Sequence, residues 1–343
     1  MAINNPTQNQ AMDRFSWKKT VAKYQNPDPA RSWGQIATSL VPYIAIWVLM
    51  VYSLQVSYWL TLALAVPAAG FMIRTFIIFH DCGHGSFFKS RRANDALGNI
   101  TGILTFTPYY HWRHNHAVHH ASAGDLDRRG IGDIWTLTVE EYKALPAWKQ
   151  LVYRLFRNPV IMFTIGATGI FLIGHRFTSK DAGKRERYGV YWTNLALLGI
   201  IVIISFAIGF KSFILIQLPI LILGTSAGVW LFYVQHQFDG VYWERHERWD
   251  YLSAALKGSS FYKLPKVLQW FTGNIGFHHV HHLSPRIPNY YLESCHNDGP
   301  LFQQVRPITL IGSMRSLFYR LYDEEKRMLV GFGALKKVAN SGG

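Results

Sequence analysis

Residues Ile36 to Leu54 run for 19 positions without a charged side chain, and Val56 to Phe79 follow for 24 more with Arg74 as their only charge. As helix, at about 1.5 Å per residue, each run crosses the roughly 30 Å hydrocarbon core of a bilayer. Lipid offers no partner to a backbone amide, so a run this long must be a helix that bonds within itself. Gln55 leaves almost no linker, which makes the two runs a tight hairpin. A second hairpin is expected from Val190–Phe210 and Phe213–Val234, separated by Lys211 and Ser212. Pro219, Gly224 and Gly228 in the last run are tolerable where neighbouring helices approach. The fold expected is an all-α membrane protein with four transmembrane helices in two hairpins.

Two shorter apolar stretches, Ala96–Tyr110 and Pro159–Gly174, have 15 and 16 residues and fall short of a comfortable span. Charge decides how to read them. Arg176, Lys180, Lys184, Arg185 and Arg187 follow the second stretch, and basic loops belong on the cytosolic side. With both stretches re-entrant or interfacial, every lysine and arginine except Lys211 and Arg74 falls on that side. Arg74 is left to snorkel or to pair inside the bundle. The chain then divides into a cytosolic N-terminal segment (1–35), a membrane unit (36–307) and a cytosolic tail (308–343), with a helix expected from Met314 to Met328. The polar start carries no signal-peptide pattern, and the two cysteines, Cys82 and Cys295, make no disulfide framework. A net charge of +15 reads as attraction to anionic headgroups or to an acidic partner, since nothing resembles a nucleic-acid module.

Against this apolar background stand three histidine clusters: His80-Asp81-Cys82-Gly83-His84, His111 to His120, and His278-His279-Val280-His281-His282. On a helix, positions i, i+3 and i+4 share a face, so His80 with His84, then His116, His119 and His120, then His278, His281 and His282 each form a set. His236 closes the fourth apolar run and reaches the same boundary as His80. Imidazole is the commonest protein metal ligand. Structural zinc takes about four ligands and an octahedral ion about six, so eight or nine histidines imply two metals with positions left for other ligands. There is no thiolate set for iron–sulfur chemistry. Soluble di-iron bundles repeat Glu-x-x-His, and the one instance here, Glu293 to His296, reads as coincidence.

The patterns HDCGHGSF from His80, WRHNHAVHH from Trp112 and HVHH from His279 resemble the integral-membrane fatty acid desaturases, in particular bacterial acyl-lipid desaturases of the Bacillus and cyanobacterial kind. The resemblance covers about Trp33 to Pro307. It implies that His80, His84, His116, His119, His120, His278, His281 and His282 are catalytic metal ligands and that His236 is a ninth. Asn274, one turn before His278, is a weaker candidate. It further implies two iron ions, O2 as co-substrate, the acyl chains of membrane lipids as substrate, and a cis double bond as product. No His-Pro-Gly-Gly haem motif is present, so a separate ferredoxin- or flavodoxin-like donor is expected. The implied location is the bacterial cytoplasmic membrane, with active site and both termini cytosolic.

Asp81, Asp125, Asp127 and Asp239 are the carboxylates nearest in sequence for orienting ligand imidazoles. His111, His114 and His279 read as packing or supporting residues, and His175, His246 and His296 as ordinary surface ones. The same histidine layout serves membrane hydroxylases and carotenoid ketolases or hydroxylases. A histidine-rich metal transporter is the rival from another class, but it would place its ligands at mid-membrane.

Overall fold

The computed structural model describes residues 17–335; the beginning of the N-terminal segment and the Ser341-Gly342-Gly343 end lie outside the described residues. Helix α1 (Pro29–Ser53) starts at Asp28, whose carboxylate accepts from the amides of Ala30 and Arg31, with Pro29 in the first turn. Helix α2 (Tyr58–His84) ends where Gly85 takes φ 69°, a left-handed stop that a side chain would oppose. That stop leaves His80 and His84 on the last two turns. Helix α3 (Arg91–Leu104) is capped by Ser90, and α4 (Tyr109–Ser122) begins after Pro108. Helices α5 (Lys184–Ile208) and α6 (Phe210–His236) form the second hairpin, and α7 (His278–Leu283) carries the last histidine cluster.

Among the described residues, α1, α2, α5 and α6 are the four helices long and apolar enough to cross a membrane. Their exposed faces are hydrocarbon: Val41, Ile44, Ile203 and Phe206 lie open, Phe206 at 89% exposure, as a lipid-facing surface requires. The helices outrun the apolar stretches; α5 starts at Lys184 rather than Val190, because hydropathy marks the slab and not the helix ends. The first short stretch breaks: α3 stops at Leu104 and Phe106 takes φ 58°. At 14 residues α3 is about 21 Å long, too short to span. The second bends by 70° between Ala147–Phe156 and Ile161–Arg176, where a π-turn occupies Ile161–Gly166.

Arg74 pairs inside the bundle, with Trp270 rather than with an acid among the described residues. Its guanidinium lies 3.8 Å from the Trp270 ring and donates to the Trp270 carbonyl. Arg157, fully buried, donates to Thr136, to the Tyr233 hydroxyl, to Gln237 and to the Tyr319 carbonyl.

The polar cap contains strands that the all-helical expectation omits, each too short to show a period in sequence. β1 (Leu137–Thr138) pairs in parallel with β4 (Leu321–Asp323), which pairs antiparallel with β5 (Met328–Val330); β2 (Phe261–Lys263) pairs in parallel with β3 (Pro307–Thr309). The helix expected over Met314–Met328 is therefore replaced by a 3-10 turn, Gly312–Phe318, and the β4–β5 hairpin. Tertiary contacts override the helical pattern there: the Tyr233 hydroxyl bonds to the carbonyls of Ser316 and Tyr319, and Leu321 and Leu329 are buried.

Candidate metal centre

Four elements deliver histidine to the junction of membrane and cap. α2 brings His80 and His84, α4 brings His116, His119 and His120, α6 ends in His236, and α7 holds His278, His281 and His282. Gln235 fastens α6 to the segment before α7, its side chain donating to the Ile275 carbonyl and its own carbonyl accepting from Ser260. Gly83 lets the Trp112 ring close over α2, since a Cβ there would meet the ring at 3.0 Å, and Trp112 in turn stacks on His116.

The nine imidazoles divide into two groups. His80, His84, His116, His120 and His281 form the first, and His119, His236, His278 and His282 the second; within each, one nitrogen per ring lies within 4.8 Å of all the others. The second and third sequence clusters are each split between the two groups. The i,i+4 pairs His116 with His120 and His278 with His282 stay together, while the i+3 residues, His119 and His281, cross to the opposite group. Four residues turn a helix by about 40° beyond a full circle and three stop about 60° short of one, so each helix presents ligands on two adjoining faces.

Both groups fit a cation. His236 gives its Nδ1 proton to the Gly258 carbonyl at 3.3 Å, and His119 gives its own to Asp133 at 2.5 Å. Each neutral ring then turns a lone pair outward on Nε2, yet these two Nε2 atoms stand 3.1 Å apart, with the His278 Nε2 2.9 Å from that of His236. In the first group the Nε2 of His120 lies 3.2 Å from that of His116 and 3.0 Å from that of His281. Buried lone pairs facing one another at such distances repel unless positive charge sits between them. Burial, reinforced by neighbouring histidines, pushes His116, His120, His278, His281 and His282 well below the usual imidazole range, so they stand deprotonated as ligands require.

Carboxylates orient the rings. Asp81 accepts from His80 Nδ1 at 3.1 Å, and its other oxygen takes the Asn289 backbone amide and side chain at 2.7 and 2.8 Å. Asp133 performs the same task for His119 and went unnoticed in sequence, its one signal being a position directly after Gly132, downstream of the second histidine cluster. Asp125 and Asp127 serve the cap instead: Asp125 holds His246 at 2.7 Å, and Asp127 takes Arg245 and the His246 amide. Asp239 lines a separate cavity of about 700 Å³ beside Arg306 and Arg315.

The remaining candidates lie elsewhere. Asn274 sits in a left-handed turn, accepting from Gln269 and donating to the Asn289 carbonyl. His279 is buried against His296 at 3.0 Å, and burial brings it down to about 3. His111 approaches Asn115, and exposed His114 faces Glu186 at 3.6 Å. Glu293 is occupied by Lys266 and Gln269 rather than by His296. His175 packs on Phe171.

A cavity of about 290 Å³ opens onto the second group, with His119, His236 and Asp133 at one end and Phe232, Trp135 and Trp243 along its walls. The fatty acid desaturase family model matches residues 56–306, through all three histidine clusters and His236. The chain belongs to the fatty acid desaturase family. It is 51% identical to a fatty acid desaturase of Bacillus subtilis, over 93% of this chain and 91% of that protein. It is 28% identical to the sn-1 oleoyl-lipid 12-desaturase of a Synechocystis species, over 90% of this chain and 88% of that one. A second Synechocystis relative, named sn-1 acyl-lipid omega-3 desaturase (ferredoxin), is 28% identical over 63% of this chain and 61% of its own length. As a desaturase the protein is an oxidoreductase, and its histidine groups are where a metal can be held.

Proposed function

We propose that this desaturase introduces a cis double bond into the acyl chain of a membrane lipid, using two irons held by the nine grouped histidines. The observation that carries the reading is the convergence of nine histidine rings, one ligand nitrogen from each, into two groups, the second of which lines a cavity with aromatic walls. Imidazole without thiolate suits iron among the redox metals. An iron pair bound there supplies the redox chemistry by which dioxygen is reduced while two C–H bonds are broken.

The balance is simple: a CH2–CH2 unit, O2, two electrons and two protons give CH=CH and two waters. Two of the four electrons come from the acyl chain and two from an external donor, for which we propose an acidic one-electron carrier. The protein positions and excludes. Phe232, Trp135 and Trp243 give the methylenes an apolar wall, and an acyl chain offers no polar handle, so the depth and shape of that wall select the carbons. Asp81 and Asp133 hold the His80 and His119 rings in one orientation.

The active site and both termini are placed on the cytosolic side of a bacterial cytoplasmic membrane. In support, the starts of α1 and α5 and the ends of α2 and α6 share the histidine side, while Tyr58 and Leu215 meet at the far end with Lys211. A reporter inserted between Arg176 and Arg187 should be shielded from outside reagents, and labelling from outside would reverse the orientation. Expression in a host without desaturases, with double-bond mapping of its lipids, tests the reaction. Olefin at one position is expected, and hydroxylated chains would move the protein to the hydroxylases.

A further inference from the structure

The two histidine groups open to the outside through cavities of opposite character. The cavity on His119 and His236 is walled by aromatic rings, and its charged residues, Asp125, Asp133 and Arg129, are mostly acidic. A second depression of about 230 Å³ has the His84 ring in its lining, together with Lys89, Arg91, Arg113 and Arg286. Its one acid, Asp95, is already claimed by Arg113 and by Arg185, each at 2.9 Å. Lys89, Arg91 and Arg286 are exposed and have no ion pair among the described residues.

Two further features concentrate this charge. Arg91 and Arg92 open α3 with no acidic residue in its first turn, although the positive end of a helix dipole favours acids there. Cations in that position oppose the helix and reinforce one another's potential. The His84 Nε2 is buried and without a hydrogen-bond partner among the described residues, inside the first histidine group, and His84 is also one of the residues lining the depression. One histidine thus belongs both to the lining of a basic surface depression and to the candidate metal centre.

We infer that the surface formed by Lys89, Arg91 and Arg286 beside His84 is the docking face for an acidic one-electron carrier of the ferredoxin type. This rests on the desaturase reading, which requires two electrons from outside per double bond. Electron transfer weakens steeply with the thickness of protein between centres, and His84 belongs both to the lining of this depression and to the first histidine group. Each docking delivers one electron from a reduced carrier, which leaves oxidised; two dockings complete a turnover. Complementary charge brings the carrier to this face and orients it. A phospholipid headgroup would also meet cations here. The acyl chain, however, finds its apolar wall at the other cavity, on Phe232 and Trp135, which leaves the basic depression to the donor.

The test uses the full-length enzyme in phospholipid vesicles with a reduced acidic ferredoxin, comparing wild type with Lys89→Glu/Arg91→Glu/Arg286→Glu and the milder Lys89→Gln/Arg286→Gln. At low ionic strength the triple variant should raise the KM for ferredoxin about tenfold or more and flatten its salt dependence, with a smaller rise in the double variant. Iron content, reduction by dithionite and turnover at saturating ferredoxin should match wild type, which separates docking from a damaged site. An unchanged ferredoxin KM and salt slope in the two variants would overturn the docking face. So would a changed KM for the phospholipid with that for ferredoxin unaltered, which would mark a headgroup site. If the triple variant does not fold, the double variant decides alone. A wild-type protein that holds no iron or forms no olefin would overturn the desaturase reading and the docking face with it.

Discussion

Asp133 accepts the Nδ1 proton of His119 at 2.5 Å, fourteen residues away across a glycine-bounded loop, and its second oxygen takes the Gly130 amide at 3.3 Å. The loop therefore steers a ring of the second histidine group without touching the metal position itself. Asp133→Asn should lower metal affinity or activity about 10–100-fold. Under limiting iron the variant should retain the metal of the first group and lose that of the second. Metal analysis against thermal unfolding checks this: two irons with wild-type affinity would remove Asp133 from the site.

Asp81 carries more. Its replacement by Asn leaves one accepting oxygen where two are in use, so either His80 or the buried Asn289 amide loses its acceptor and faces an NH2 group. A stranded Asn289 amide costs about 1–3 kcal/mol beyond any metal effect. Asp81→Asn should thus lower the unfolding temperature even of metal-free protein, whereas Asp133→Asn should lower it chiefly when metal is present. Equal shifts in the metal-free proteins would contradict the distinction.

His236→Ala removes the ring whose Nε2 lies between those of His119 and His278. Loss of desaturation and of about one iron per chain is expected, far beyond the 10–100-fold of a supporting residue. His246→Ala, ten residues on, breaks only the bond to Asp125 and should keep both irons. Normal product and two irons in His236→Ala would show that it is not a ligand.

The buried histidines also set a pH limit. In the folded chain His116, His120, His278, His281 and His282 sit below their unfolded value of about 6.5, so the native state binds fewer protons than the unfolded one. Stability from this source is fully present above that value and falls as pH drops through it, by up to about 1.4 kcal/mol per pH unit for each group. Metal release acts in the same direction, since protons compete for the same nitrogens. Unfolding temperature and bound iron should both decline between about pH 7 and pH 5, and flat profiles would contradict the assignment.

Arg157→Leu should destabilise the protein by about 3 kcal/mol or more, because it strands several buried acceptors at roughly 1–3 kcal/mol each. Arg157→Lys keeps the charge but not the fan of donors and should recover only part of the loss. Thermal unfolding of both variants at constant metal content measures it, and a wild-type value for Arg157→Leu would refute the role.

Much of this was legible before the structure, for identifiable reasons. A membrane demands long uncharged runs, so the four spans are written as composition, and i,i+4 spacing is a local geometry that sequence displays directly. The division of His119 from His116 and His120 was not legible, since it depends on which neighbour each face of α4 meets. Asp133 lay beyond the reach of adjacency, because only a folded loop returns it to His119. The strands after Phe318 were read as helix for a similar reason: their pairing with Leu137, more than 180 positions earlier, is what makes them strands.

That last pairing bears on how the protein is made. β4 closes on β1, and Asn289 reaches back to Asp81, so ribs of the centre formed early in synthesis wait for residues translated near the end. A nascent chain halted before Leu321 would have its four spans threaded and its histidines present, yet the loop bearing Asp133 would be untied. The β1–β4 clamp thus closes only once Leu321 has been made, after every histidine of the two groups is already in the chain.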